Sequence, residues 1–435
     1  MGFIVGGNIL LQCVVGGAAV SRSWTSYFAT LLNYEPNDFR IVVHSLSPDY
    51  RYLDPIAIVV LATICVMAVV STKGSSIFNY IATIIHIVVL LFIIIAGLTK
   101  ADTKNYSDFA PFGVHGIFQA SAVLFFAYLG FDLISTVAEE TKNPGRDIPI
   151  GLIGSMVIVT LVYCLLAMAL CLMQPYRDID IDAPFSVAFE AVGLEWAKYI
   201  VAAGALKGMT TVLLGAAVSQ ARYLTHIART HMMPPCLAIV NEKTGTPLNA
   251  TVVMLAATAV IAFFTSLGIL SKLLSISSLF VLVLVAIGLL VRRYYVSGVT
   301  TKANRIKFIV FLALILGSSI GIAIYWASSA DGWIGYTITL PIWLLSTLGL
   351  RLFVPQAREP KFWGVPLVPW LPSLSIAINM FLLGSIDKKS FERFGIFTLV
   401  IIVYYFLYGL HASYDTAKEA SSAKQTINVE EGALN

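Results

Sequence analysis

Residues 117–151 read IFQASAVLFFAYLGFDLISTVAEETKNPGRDIPIG. An apolar run long enough to cross a bilayer carries Gly130 and Asp132 near its middle. It ends in the adjacent carboxylates Glu139 and Glu140 and passes into a basic, proline-punctuated turn. A carboxylate near the centre of a membrane helix costs about 2.5–3.5 kcal/mol on insertion scales. Gly130, two residues earlier, weakens the helix where a break would expose backbone polar groups. Irregular backbone at that depth survives only where protein buries it or it lines a cavity. The two features together point to a site for a polar guest halfway across a membrane. Its elements are an interrupted helix whose free carbonyls at Phe126, Ala127 and Tyr128 accept hydrogen bonds from an ammonium group, with Asp132 beside them and Thr136 nearby. The competing reading is a glycine packing contact and an aspartate paired with a neighbouring helix.

The rest of the chain supports the membrane setting. Of 435 residues, 58% are hydrophobic and only 12% charged, where a soluble domain carries about 25% charged residues. The fold class expected is an all-α polytopic membrane protein. Twelve apolar runs of about the length a span needs fall near 3–30, 54–72, 78–98, 117–138, 150–173, 198–221, 248–268, 273–291, 308–327, 333–353, 367–385 and 393–411. Their continuity excludes a β-barrel, whose strands alternate over about ten residues. Cys13, Cys65, Cys164, Cys171 and Cys236 show neither metal-ligand nor disulfide spacing and read as small packing residues. The net charge of +4 gives no sign of a nucleic-acid partner. No HExxH, GxSxG or Walker pattern is present, so no enzyme, cofactor or metal is expected. No basic region precedes the first apolar run, so no signal peptide is expected.

Counting Lys and Arg by loop gives sixteen on one side of the membrane and ten on the other, with Arg22 and Lys207 inside spans. The positive-inside rule puts the richer side, and both termini, in the cytoplasm. The opposite side holds the acidic loop RDIDID at 177–182, read as a solvated loop that could mildly concentrate cations. Residues 412–435 read as a disordered cytoplasmic tail.

Two further residues inside spans carry titratable groups. His86 lies mid-span and could take up and release a proton near neutral pH, or could donate to a carbonyl across a helix interface. Lys207, in GALKGMTTVLLG at 204–215, must find a partner, reach a wet cavity or lose its proton. Both are proton-coupling candidates. Glu139, Glu140 and Arg146 are candidates for a cytoplasmic gate, against a plainer reading as capping and loop ion pairs. Pro149 is expected in the first turn of the next helix.

Several stretches resemble the plant cationic amino acid transporters of the amino acid–polyamine–organocation superfamily. They are FFAYLGFDLISTVAEETKNPGRDIPIGLIGSM at 125–156, APFSVAF at 183–189, GALKGMTTVLLG at 204–215, KTGTPLNATVVMLAA at 243–257, VPLVPWLPSLSIAINMFLLGSID at 365–387 and YGLHASYDTA at 408–417. The resemblance implies a LeuT-like inverted-repeat fold and uptake of arginine, lysine and similar amino acids, coupled to protons or facilitated. It implies the plasma membrane as address, with the vacuolar membrane as the alternative. It places one permease domain over 1–411, with a first-repeat remnant at about 1–99, the second repeat at about 117–291 and additional helices at about 308–411. Residue 1 then corresponds to the start of the family's third helix, so the first repeat is incomplete and the glycine-rich segment that receives the substrate carboxylate in relatives has no counterpart here. A second departure is Leu11-Gln12-Cys13, where the family usually has Leu-Glu-Tyr, which removes a membrane carboxylate. The resemblance also aligns His86 with a part of the family's fifth helix where some relatives carry a lysine. The alternative expectation is a truncated, transport-inactive form that binds a full-length transporter as a regulatory partner.

Overall fold

The computed structural model describes residues 2–70, 75–107, 109–131, 141–241, 245–328, 333–360 and 363–411. Thirteen α-helices dominate these residues. They are α1 (Gly2–Leu31), α2 (Pro55–Val70), α3 (Ser75–Leu98), α4 (Gly113–Leu124), α5 (Pro144–Met173), α6 (Pro184–Ala191), α7 (Glu195–Arg229), α8 (Leu248–Phe264), α9 (Leu267–Tyr294), α10 (Lys302–Ser328), α11 (Trp333–Phe353), α12 (Trp370–Gly384) and α13 (Lys388–Tyr404). Among the described residues, eight helices are long and apolar enough to cross a membrane, and α2, α4, α8 and α12 are shorter apolar helices. Each coincides with one of the twelve expected spans, and α6 is an additional short helix. The protein is an all-α polytopic membrane protein. A two-residue antiparallel pair, β1 (Ile41–Val42) with β2 (Tyr52–Leu53), closes the loop between α1 and α2.

Several boundaries differ from expectation: α9 begins at Leu267 and α10 at Lys302, each six residues before the predicted start, and α7 runs on to Arg229, eight residues past its predicted end. Helix α5 begins at Pro144, six residues before the predicted start, and Pro149 lies inside it. Pro144 takes the first position, where a missing N–H costs nothing. The Asn143 carbonyl accepts from the N–H groups of Arg146 at 3.1 Å and Asp147 at 2.9 Å, which starts the ladder early.

The chain folds as two compact units. The first contains residues 108–164 and 271–394. Its core is built by Val283, Ile287 and Leu290 of α9, Phe308 and Ile315 of α10, Leu350 of α11 and Ile376 of α12. Within it the Thr347 hydroxyl of α11 and the Ser373 hydroxyl of α12 share a hydrogen bond of 2.7 Å.

The second unit contains, of the described residues, those within 2–107, 165–270 and 395–411. Leu10 and Val14 of α1 pack with Leu224 and Ala228 of α7 and with Met254 of α8. Lipid tails are as apolar as leucine, so such helices associate through close packing and polar bonds rather than hydrophobic burial. Gly204 and Gly208 of α7 serve that packing. A Cβ at Gly204 would stand 2.5 Å from Val89 of α3, and one at Gly208 would stand 2.9 Å from the His86 Nδ1.

At one end of this unit the acidic loop takes part in a buried ion network, which corrects its reading as merely solvated. Arg40 pairs with Asp54 at 3.3 Å and with Asp182 at 3.0 Å. Asp182 also accepts from Asn37 at 3.0 Å. Asp54 accepts from the Thr25 hydroxyl and from the Ala57 N–H, both at 2.9 Å. Arg22 donates to the carbonyls of Ala262 at 2.7 Å and Tyr52 at 3.0 Å. A charge this deep is costly unless its polar atoms find partners; both Arg22 terminal nitrogens have carbonyl acceptors, while its Nε has none among the described residues. The network therefore fixes α1, the β1–β2 loop, α2, α8 and the 174–183 segment to one another.

Candidate functional site

The decisive local feature is a break in the α4 helix. Regular α-helix ends at Leu124, a 3₁₀ turn spans Phe125–Tyr128, Leu129 is non-helical with ψ of 141°, and Gly130 has φ of +116°. A side chain at that φ would be strained, so glycine is the residue that lets the chain leave the helix there. The α-helix ends at Leu124, six residues before Gly130, and the segment expected beyond the break lies outside the described residues.

Two other helices hold the break. From α9, the Ser275 hydroxyl donates to the Val123 carbonyl in the last turn of α4 at 2.7 Å. From α5, the Tyr163 hydroxyl donates to the Ala127 carbonyl at 3.0 Å, and its ring meets that of Tyr128 edge-on at 5.5 Å. The Leu129 N–H donates to the Phe126 carbonyl at 3.1 Å. This corrects the expectation of free carbonyls: those of Phe126 and Ala127 already have protein donors. The physical reason is that an orphaned carbonyl in hydrocarbon costs several kcal/mol, so the fold supplies partners. Each carbonyl oxygen keeps a second lone pair, and the Tyr163 oxygen keeps its own acceptor capacity.

Asp132, Thr136, Glu139 and Glu140 lie outside the described residues. Arg146 sits exposed in the first turn of α5, its N–H bonded to the Asn143 carbonyl. On its other turns α4 presents His115 and Gln119 to a cavity of about 900 Å³, also lined by Phe280, Met380 and Asp387. His115 stacks on Trp326 with ring centroids 5.1 Å apart.

The two titratable span residues both lie in the second unit, on facing helices. The Lys207 ammonium of α7 donates to the Ala82 carbonyl of α3. His86, one turn further along α3, rests against Gly208, and its buried Nδ1 has no hydrogen-bond partner among the described residues. Lys207 thus has the partner its position demanded, and His86 is held beside a cation within electrostatic range. Three residue steps along α7, Thr210 accepts from the Trp24 indole N–H of α1 at 3.0 Å.

Sequence reasoning missed Ser275, Tyr163, Trp24 and Thr210. A signal existed for Ser275, since Ser275, Ser277 and Ser278 interrupt an otherwise apolar span and are buried. Tyr163, Trp24 and Thr210 carry no such signal, because their partners lie on other helices. Among the described residues, no group of three or more His, Cys, Asp or Glu could hold a metal ion.

Helices long and apolar enough to cross a membrane, one of them ending in a 3₁₀ turn within an apolar run, define a polytopic membrane protein. The family follows from comparison: the model for amino acid permeases matches residues 1–348, and that for the C-terminus of these permeases matches 363–413. The chain belongs to the amino acid permease family, and it is a transporter rather than an enzyme. It is 69% identical to cationic amino acid transporter 1 of Arabidopsis thaliana over 435 residues, which cover all of this chain and 73% of that relative. It is 57% identical to cationic amino acid transporter 5 over 418 residues, 96% of this chain and 73% of the relative. It is 50% identical to the Arabidopsis cationic amino acid transporter 8, vacuolar, over 417 residues, 96% of this chain and 70% of the relative.

Proposed function

We propose that this protein carries cationic amino acids such as arginine and lysine across a membrane, in symport with protons. The observation that carries the reading is the break at 125–130, in a chain whose relatives are named for that substrate class. An ammonium group brings three donors and no acceptor. Backbone carbonyls released from a helix, the second lone pairs of Phe126 and Ala127, the Tyr128 carbonyl and the Tyr163 oxygen offer acceptors without adding a fixed charge. Gly130 makes the approach, Asp132 supplies the negative charge the site needs, and Thr136 follows on the same segment. Glu139, Glu140 and Arg146 form the proposed cytoplasmic gate.

Proton coupling is assigned to His86 and Lys207. A His86 nitrogen with no partner among the described residues, beside a lysine that donates to the Ala82 carbonyl, makes a pair whose charges compete, since two cations close together in a low dielectric repel strongly. Protonating His86 therefore weakens the hold of Ala82 on Lys207, which bears on how α3 packs against α7. The proposed address is the plasma membrane, the usual one for the family the sequence resembles, and the count of basic loops puts both termini in the cytoplasm; a tagged protein co-located with a vacuolar marker would place it there instead.

The test is uptake of labelled arginine by proteoliposomes of monodisperse protein, with and without an inward proton gradient. Saturable uptake competed by lysine, and stimulated by the gradient, is the expected result. Absence of uptake from folded protein overturns the reading, and uptake indifferent to the gradient overturns its coupling.

A further inference from the structure

A second site lies in the first unit, remote in sequence from the broken helix. The last turns of α9 and the segment after α11 enclose a groove of about 720 Å³, lined by Leu289, Arg292, Arg293, Arg358, Glu359 and Trp363 among others. The arginines come from two segments. The Arg293 carbonyl accepts from the N–H groups of Ala357 at 2.8 Å and Arg358 at 3.2 Å, which pins the second segment onto the end of α9. The Arg293 guanidinium also reaches the Arg358 carbonyl at 3.4 Å. Beneath this, Tyr294 stacks on Phe308 with centroids 5.8 Å apart, so the end of α9 is anchored in the core.

A helix C-terminus favours cations, which accounts for Arg292 and Arg293 alone. It does not account for Arg358, which the backbone bonds bring from 65 residues away. Three guanidinium groups in one groove repel each other, and the backbone that carries them is fixed. Among the described residues none of the three pairs with a carboxylate within 4.0 Å, and Glu359 is the one acid in the lining. Guanidinium forks match phosphate oxygens two at a time. The groove is also amphipathic. Leu289 belongs to a membrane helix, and Trp363 is half exposed, as aromatic residues at a membrane surface are. By the count of basic loops this face meets the cytoplasmic leaflet, where basic clusters next to spans attract anionic lipids.

We propose that this groove binds the headgroup of a membrane lipid carrying phosphomonoesters, a phosphorylated phosphatidylinositol. The arginines take the phosphate oxygens, Trp363 covers the glycerol region, and Leu289 meets the upper acyl chain. Occupancy ties the segment after α11 to the end of α9 more firmly than the two backbone bonds do alone.

The experiment titrates dioctanoyl phosphatidylinositol bisphosphate into the detergent-solubilised full chain, followed by native mass spectrometry. Dioctanoyl phosphatidylcholine and free inositol trisphosphate serve as comparators. The expected result is saturable binding of the inositol lipid, with affinity falling at least about tenfold in the R292Q/R293Q/R358Q variant. A variant of equal charge loss on α10, K302Q/R305Q/K307Q, keeps most of the affinity. The single variant Arg358→Gln, on an exposed segment, guards against misfolding of the triple and weakens binding in the same direction. Equal losses in the two triple variants, or phosphatidylcholine binding as tightly, overturn the site. Free inositol trisphosphate binding as tightly as the lipid overturns the membrane-lipid assignment.

Discussion

The Tyr163 hydroxyl donates a hydrogen bond of 3.0 Å to the carbonyl of Ala127, joining α5 to the 3₁₀ turn at which α4 breaks. This bond answers the energetic problem of an open helix end in hydrocarbon. It also makes Tyr163 a structural support of the proposed ammonium site. Replacing Tyr163 with phenylalanine removes one donor and keeps the ring contact with Tyr128. The expected outcome is a loss of about 1 kcal/mol in stability and a several-fold rise in the arginine concentration for half-maximal uptake. Thermal denaturation and initial uptake rates check the two parts separately.

Gly130 at φ +116° lets the chain leave the helix at no steric cost. Substituting alanine imposes about 1–3 kcal/mol of backbone strain at this one position. We expect protein that still folds into a bundle but takes up arginine far more slowly. Uptake equal to that of the parent protein, from Gly130→Ala of equal purity, would contradict the role of the break.

His86 and Lys207 should control the response to a proton gradient. In His86→Leu, the ratio of uptake with and without an inward gradient should collapse to unity while exchange of labelled for unlabelled arginine persists. A gradient response retained in this variant removes His86 from the coupling.

Asp54 holds two donors and one cation of the buried network. Asp54→Asn leaves the Arg40 guanidinium less well compensated, so a loss of about 3–5 kcal/mol is expected. The paired replacement R40M/D54L should recover part of it, because removing both charges also removes the cost of burying them while leaving the partly exposed Asp182 without its cation. Thermal melting of the three proteins in the same detergent distinguishes pair from partner.

Asp387 sits between α12 and α13, paired with Lys272 at 2.8 Å, both about a third exposed. Burial alone would raise its carboxyl. Hydrogen bonds from Lys272 and from the Ser390 hydroxyl and N–H outweigh burial and hold it below the usual carboxylate range. With the folded value below the unfolded one, the carboxylate contributes stability above the unfolded value. That contribution is lost as pH falls through the folded value. The melting difference between the parent protein and Asp387→Asn should therefore be present at neutral pH and vanish in acid. A difference that persists in strong acid would show that the pair does not act through ionisation.

Much of the architecture was legible without coordinates. Twelve apolar runs, each about the length of a bilayer crossing, match twelve helices. Lys207 demanded a partner and has the Ala82 carbonyl. Other elements were hidden for identifiable reasons. Arg40 and Asp182 looked like members of two solvated loops, yet they form an ion pair across 142 positions. The Phe126 and Ala127 carbonyls looked free because their donors, Leu129 and Tyr163, depend on how the turn folds and on which face of α5 meets it.

Hydropathy is local: each run of apolar residues prefers lipid whatever its neighbours do, so the sequence by itself determined that this is an all-α polytopic membrane protein. Satisfaction of polar groups is not local. Which carbonyl receives Tyr163, which carboxylate receives Arg40, and which three arginines share a groove depend on the rotation and approach of helices far apart in the chain. Only the tertiary structure decided them, because a buried polar atom is stable or costly according to the partner that packing brings within hydrogen-bond reach.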